Sequence, residues 1–288
     1  MKLSEVRSVF ALPSSVRGLL FKYILKKSIG SEISFAEKEA NVILRVLAKS
    51  KGSIIEINST ESKLSIPVAG INVLISARRY PSSDLGILFQ VLGKKEYQPV
   101  IDILKKKRNS TAEIRIIDAG ANVGYATLFF KAHFPNAKIL SIEIDADNFL
   151  QVQRNFDLNN FTSLIPVRKA LWKRRANLEI KRDFRDKTEC SYYVEEVDSH
   201  TNLEGYSLHD FMKDQGWDFI DVLKIDIEGS ERYLFESDEL ADSLLSKTKI
   251  LAIEIHDEFN IRPAIYKHLT RNGFRHFAHG DLTIAHRS

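Results

Sequence analysis

The sequence predicts an α/β protein: a mostly parallel sheet with helices on both faces, an antiparallel last strand, and a small α+β extension in front. Three observations predict it. From Ile114 onward, short β-branched runs alternate with segments whose apolar residues recur at helical spacing. The final segment, "FRHFAHGDLTIAHR", sets a Gly280-Asp281 turn between two strand-like runs, the pattern of an antiparallel hairpin. Ahead of the alternating part, residues 53 to 58, 63 to 67 and 71 to 76 read as three short strands divided by polar and glycine turns.

Taken in order, Ser15 to Ile29 predicts a basic amphipathic helix, with Val16, Leu19, Leu20, Tyr23 and Ile24 on one face and Arg17, Lys22, Lys26 and Lys27 largely off it. The expectation is that this face packs on its own domain, with peripheral membrane contact as the alternative. The three strands follow, then helical spacing around Leu85 to Val91 and Val100 to Leu104. The basic run Lys105 to Arg108, then Asn109 and Ser110, reads as helix end and linker, which sets the domains at 1–110 and 111–288. In the second part "KILSIEI", "LIPVRKAL", "DVLKIDI" and "KILAIEIH" are strand-like, a hairpin is expected through Leu178 to Val197, and helices lie between. One of these opens near Pro263 and closes at Gly273.

Composition excludes several classes. The single cysteine, Cys190, can form no internal disulfide and no cysteine zinc site, which fits a reducing compartment. No window approaches a membrane span and no apolar leader core is present, so a cytoplasmic protein is expected. Residues 1 to 110 hold 19 basic against 9 acidic residues, and the rest 23 against 29, so the front is basic and the back acidic. Scattered solubilising lysines account for this more simply than a specific anionic partner.

The stretch "IRIIDAGANVGYATLFF" reads as strand, tight turn and helix. Gly120 lets the chain turn and Gly124 permits close approach at the helix start. Their spacing is G-x-x-x-G, with Ala121 and Asn122 in place of the glycine pattern that seats a pyrophosphate, so a dinucleotide is disfavoured. Glu143 ends the second strand nineteen positions after Gly124, where a carboxylate can accept hydrogen bonds from both ribose hydroxyls. Loop, strand and terminal acid together imply a nucleoside without pyrophosphate.

A second constellation lies in "FIDVLKIDIEGSE" and "KILAIEIHDE". Strand alternation puts Lys224, Asp226 and Glu228 on one face, and Glu254 with His256 on the matching face of the next strand. The bland account is that such groups solvate strand ends; jointly they suit general-base work on a hydroxyl, with Lys224 easing the charge of the alkoxide. They also suit a hard divalent cation such as Mg or Mn, which we do not favour.

In this order, "IIDAGANVGYATL", "SIEIDADNFLQVQRNFDLNN", "VRKAL", "SLHDF", "DVLKIDIEGSE" and "LAIEIH" resemble the FkbM-like methyltransferases, a branch of the class I S-adenosylmethionine-dependent fold. The resemblance implies a Rossmann-like sheet of seven strands whose last is antiparallel. It implies S-adenosylmethionine held by the loop from Asp118 to Gly124, by Glu143 at the ribose and by Lys169-Ala170 around the adenine. Ile144-Asp145 stands where the family commonly has a proline, a departure on the adenine side. The implied activity is methylation of a hydroxyl on a sugar, polyketide or lipid-linked saccharide, with Asp226 or His256 as the base. Rival expectations are an NAD-dependent oxidoreductase, a nucleic-acid methyltransferase, and a silent S-adenosylmethionine-binding module. Nucleic acid is disfavoured because aromatic residues do not interleave with the basic run at 105 to 108. The acceptor walls are expected in the N-terminal extension and in Lys173 to Gly205, and oligomeric state is not written in the spacing.

Overall fold

The computed structural model describes residues 9–10, 12–107, 113–181 and 193–287; the expected linker at Asn109 and Ser110, and Cys190, lie outside them. Contacts along the chain divide it into two units, residues 1–95 with 154–160 and residues 96–153 with 161–288. Residues 96–107 thus go with the second unit, and residues 154–160 with the first.

In the first unit, helix α1 (Ser14–Ser28) precedes α2 (Phe35–Ser50). Ser34 starts α2 with a capping box: its hydroxyl accepts the Glu37 N–H at 3.4 Å while Glu37 accepts the Ser34 N–H at 2.8 Å. The buried side of α2 is Ala40, Ile43, Leu44, Val46 and Leu47, an i, i+3, i+4, i+7 stripe. Strands β1 (Ser53–Ile57), β2 (Glu61–Val68) and β3 (Ile71–Arg78) form an antiparallel sheet, as the three short apolar runs predict. Asn155 accepts the Ser76 N–H at 2.8 Å and Asn159 that of Leu74 at 2.8 Å, so these two amides satisfy backbone groups of β3. A short helix α3 (Asp84–Leu88) follows, continued by a π-helical turn at Phe89–Gly93.

The second unit opens with α4 (Gln98–Lys107). Its main sheet takes β4 (Arg115–Ala119), β5 (Lys138–Ile142), β6 (Leu164–Val167), β11 (Ile220–Ile225), β12 (Thr248–Glu254), β13 (Phe274–His279) and β14 (Leu282–Arg287). The strand order is β13-β14-β12-β11-β4-β5-β6, and β14 runs antiparallel to both neighbours. The seven-stranded, mostly parallel sheet with an antiparallel last strand is therefore present. Helices α5 (Tyr125–His133), α6 (Ala146–Asp157), α7 (Leu208–Gln215), α8 (Glu231–Leu234), α9 (Asp238–Ser246) and α10 (Arg262–Arg271) connect the strands. The core is made by the apolar side of these strands, including Ile117, Leu140, Leu223, Ile225, Leu251 and Ile253, packed on Phe211, Met212, Leu245 and Leu269. A smaller sheet of β7 (Ala170–Leu171), β10 (Leu203–Tyr206), β8 (Ala176–Lys181) and β9 (Tyr193–Val197) contains the expected hairpin and closes over Trp172, Leu178 and Val194.

Register is what positions the site. Lys224 lies opposite Asp118 on one side and Ala252 on the other, so the next residues after the paired ends are Gly120, Asp226 and Glu254 in one row. Three parallel strands, β4, β11 and β12, thus present their carboxyl ends together, where the strand order reverses around β4.

Candidate active site

The site is built first from backbone. At the end of β4 the N–H groups of Gly120 and Ala121 both donate to the Ile142 carbonyl, at 3.0 and 2.9 Å, which folds the loop against the end of β5. Gly120 has φ of 77°, and a Cβ there would lie 1.8 Å from the Asp226 carbonyl oxygen. Glycine is required by both the dihedral and the neighbouring strand. Asn122 also takes a left-handed φ, 51°, and Gly124, at 84°, caps α5.

Glu143 is buried, and its two oxygens accept the N–H groups of Asn122 at 2.7 Å and Asp145 at 2.9 Å. Burial pushes its carboxyl up to about 7, against the lowering pull of those two bonds. Each oxygen retains a lone pair for a further donor.

Beneath the loop, Asp118 is fully buried and accepts the Thr127 hydroxyl at 2.7 Å, while Thr127 in turn meets Ser141 at 2.7 Å. Lys224 is buried beside it, 3.2 Å from Asp118 and 3.7 Å from Asp226, and donates to the Gly120 carbonyl. Burial opposes its charge, but the two carboxylates outweigh that and hold its ammonium well above the ordinary lysine range. Lys224 therefore ties β4, the glycine loop and β11 together as a permanent cation. Tyr97 is buried in the field of Lys224 and Asp226; burial raises its hydroxyl well above the usual value, so it stays neutral.

The second constellation assembles as the alternation predicts. A ligand atom each from Asp226, Glu254 and His256 all lie within 4.8 Å of one another. Burial, and then the charge of Asp226, push Glu254 up to about 8, so Glu254 retains its proton at neutral pH. His256 is clasped by Glu231, 2.8 Å from Nδ1, and by Glu228, 3.5 Å from Nε2. Burial works against its charge, but the bonds to Glu228 and Glu231 raise it to about 10. The Gly229 N–H also lies 3.2 Å from Nδ1, yet an imidazolium has no lone pair to offer it; the shorter bond to buried Glu231 decides the protonation. These three side chains could hold a divalent cation only after His256 gives up its proton.

The glycine loop, Glu143 and, from the second constellation, Asp226 and Glu228 line one pocket, whereas Glu254 and His256 are not in its lining. It encloses about 630 Å³, counting space open to solvent, and its walls include Gly120, Asn122, Glu143, Asn148, Ala170 and Asp226. Glu228 and Ile144 complete the set that sequence and structure share on its surface. Asp118, Ala121, Gly124 and Lys224 stand behind it. Lys169 does not join the lining: its ammonium pairs with Glu204 at 2.9 Å and lies 3.4 Å from the Tyr206 ring centroid. Residues not anticipated are Asn148, Leu171, Val194 and Ser230 in the wall, and Glu231 behind His256. "DADNF" and "IEGSE" contain three of them, but which way their side chains turn depends on the loop dihedrals.

With that geometry in place, comparison with protein families gives a match to the methyltransferase FkbM domain over residues 118–276, more than half of the chain. The chain belongs to the FkbM methyltransferase family. It carries an S-adenosylmethionine-dependent methyltransferase domain, and the resemblance seen in the motifs holds. No curated protein matches the chain by sequence. Among solved structures, the FkbM chain is similar to the N-terminal domain of human METTL16 in complex with SAH. That pair has a TM-score of 0.46 and 14% identity, over 95% of this chain and 93% of that one. It is also similar to precorrin-6y C5,15-methyltransferase from Geobacter metallireducens, with a TM-score of 0.37 and 12% identity over 66% and 88%. A third likeness is to a SAM-dependent methyltransferase from Agrobacterium tumefaciens, with a TM-score of 0.43 and 9% identity over 75% and 60%.

The pocket fits the family's cosubstrate on its own chemistry. Among the described residues, its lining contains three carboxylates, Glu143, Asp226 and Glu228, and no Lys, Arg or His. Such a wall suits a nucleoside bearing a sulfonium cation and offers nothing to a pyrophosphate. Among the described residues, no helix is long and apolar enough to cross a membrane.

Proposed function

We propose that this FkbM-family enzyme methylates a hydroxyl oxygen of a small molecule or glycan, a sugar, polyketide or lipid-linked saccharide. The observation that carries the proposal is the sharing of one pocket by Glu143 and the Asp226–Glu228 turn, which sets a nucleoside-accepting carboxylate beside a proton-accepting one. S-adenosylmethionine, when bound, supplies an electrophilic methyl on sulfur. Glu143 would accept the ribose hydroxyls, Asn122 and Asn148 would border that end, and Ala170, Leu171, Ile144 and Val194 would offer an apolar wall to the adenine.

The chain's remaining work is positioning and removal of one proton. Asp226 is the base in this reading: it is partly exposed on the pocket wall, whereas Glu254 beside it already holds its proton at neutral pH. His256 is set aside as base because it already carries its proton; its role is to hold Glu228 in place and to offset the charge of the cluster. Lys224 fixes Asp226 from below. Among the described residues of the pocket wall there is no cation, which favours a neutral acceptor over a polyphosphate or nucleic acid at this opening.

Calorimetric titration with S-adenosylhomocysteine tests the cosubstrate half of the proposal. Wild-type protein is expected to bind in the micromolar range, about −8 kcal/mol, and Glu143→Ala to lose about 1 to 3 kcal/mol. NAD serves as the control ligand. Tight NAD binding without a response to S-adenosylhomocysteine overturns the assignment; the expected result directs a screen of hydroxyl acceptors.

A further inference from the structure

Helix α1 has a second apolar side that its own fold does not use. Of the side expected to pack on the domain, Val16 and Leu20 are buried and Leu19 and Tyr23 half-buried, whereas Ile24 is exposed, so that expectation holds only in part. Phe21, Leu25 and Ile29 follow one another at four-residue spacing on a different line of the helix, with Ile24 beside them. Their exposures are 69, 50, 66 and 48%. Single exposed apolar residues are ordinary, but four adjoining on one helix are a patch.

The charges around the patch choose its partner. Arg17 lies one turn before Phe21, Lys22 follows it, and Lys26 and Lys27 complete four cations; no acid occurs between Ser14 and Ser28. Lys26 is already ion-paired with Glu37 at 3.0 Å, which leaves the patch itself bordered by Arg17 and Lys22, neither ion-paired among the described residues. A second copy docking face to face would bring eight cations together, so self-association is opposed. At fifteen residues, with cations spaced along it, α1 is too short and too charged to span a bilayer.

We propose that the outer side of α1 binds in the plane of an anionic lipid surface, with Phe21, Ile24, Leu25 and Ile29 entering the acyl boundary and Arg17 and Lys22 at the headgroups. This is the arrangement of a helix that lies on a membrane, in which apolar burial and attraction to acidic lipid act together. It is independent of the methyl acceptor.

Co-sedimentation of the full-length protein with vesicles tests it. Vesicles of phosphatidylcholine containing about one third phosphatidylglycerol should retain the protein, and pure phosphatidylcholine should not. Raising salt to about 0.5 M should weaken retention roughly tenfold. The double variant Phe21→Glu/Leu25→Glu should reduce it at least about tenfold, and Lys22→Glu/Lys27→Glu similarly. Binding of S-adenosylhomocysteine should be unchanged in both; Phe21→Ser/Leu25→Ser replaces the first pair if the acids impair folding. No retention, equal retention by both vesicle types, or retention undiminished in the apolar variants overturns the proposal. So does a wild-type dimer in solution that those variants dissociate.

Discussion

Replacing Glu143 by Gln separates what the carboxylate costs the fold from what it gives the site. In the folded chain this carboxyl is raised by burial to about 7, against 4.5 for the free side chain. A raised folded value means that the associated stability is fully present below about 4.5 and is lost as pH rises through about 7. The difference of roughly 2.5 pH units corresponds to about 3 kcal/mol, shed between about pH 5 and pH 8. Gln cannot ionise, so this share of the pH dependence should vanish. A second effect does not depend on pH: Gln offers one carbonyl where two N–H groups, from Asn122 and Asp145, now find acceptors, which costs about 1 to 3 kcal/mol. The measurable quantity is therefore the stability of the variant minus that of the wild type, followed by urea denaturation from pH 5 to 8.5 with fluorescence of the buried Trp172 and Trp217. It should rise by about 3 kcal/mol across that range in favour of the variant. S-adenosylhomocysteine affinity should meanwhile fall by about tenfold to a hundredfold. A difference that stays flat with pH refutes the burial argument, and undiminished affinity refutes the ribose assignment.

Asp226→Asn should lower kcat by about 10² to 10⁴, with S-adenosylhomocysteine affinity changed by less than about tenfold, because Asp118 still pairs Lys224 and the fold survives. The pH profile of kcat/KM on the acceptor found by screening should rise toward about 8, as Glu254 loses its proton and adds negative charge beside the base, and fall toward about 10, as His256 loses its own; His256→Gln should move the upper limb, and a single-limbed profile would sink this scheme. Gly120→Ala should cost more than about 3 kcal/mol in denaturant titration, since both the φ of 77° and the Asp226 carbonyl reject a Cβ. Mn²⁺ titration followed by electron paramagnetic resonance should show no tight site at pH 7 and tightening as pH approaches 10, where His256 can become a ligand; tight binding at pH 7 would show that the cation displaces the proton easily.

Much of the fold was legible because strand and helix periods are local. The alternating runs from Arg115 to Glu254, the Gly280-Asp281 hairpin and the three-stranded sheet in front all follow from spacing, and so does the convergence of Asp226, Glu254 and His256 at adjacent strand ends. What stayed hidden is set at the ends of elements. Beyond Asp226 the chain leaves β11, and Glu228 takes a φ of 54° and Gly229 one of 89°, so strand alternation does not decide where Glu228 points. Glu231 reaches His256 across 25 positions only because β11 and β12 pair in a particular register. Lys169 stands one residue from a pocket-lining Ala170, but Glu204 and the Tyr206 ring draw its ammonium to the other side of the short β7 strand. On α1, the periodicity that selects the Val16–Leu20 side is blind to whether Phe21, Leu25 and Ile29 find cover.

The distribution of charge also says why the pocket should prefer a sulfonium to a phosphate. Two cations behind it are both committed: Lys224 to Asp118 and Asp226, His256 to Glu231 and Glu228. Each is buried behind the wall, so it reduces the repulsion among the carboxylates without presenting a positive surface to the ligand. The wall that remains is negative at Glu143, Asp226 and Glu228 and apolar at Ile142, Ile144, Leu171 and Val194. A cationic nucleoside gains on both counts, whereas a pyrophosphate would meet carboxylates in a partly dehydrated space, where like charges repel strongly. Removing one cation should therefore matter more than its distance from the ligand suggests. With Lys224→Met, Asp118 becomes a buried carboxylate without a counter-ion, a loss of about 3 to 5 kcal/mol in stability measured by denaturation; a cost below about 1 kcal/mol would mean that Thr127 alone is enough to hold Asp118.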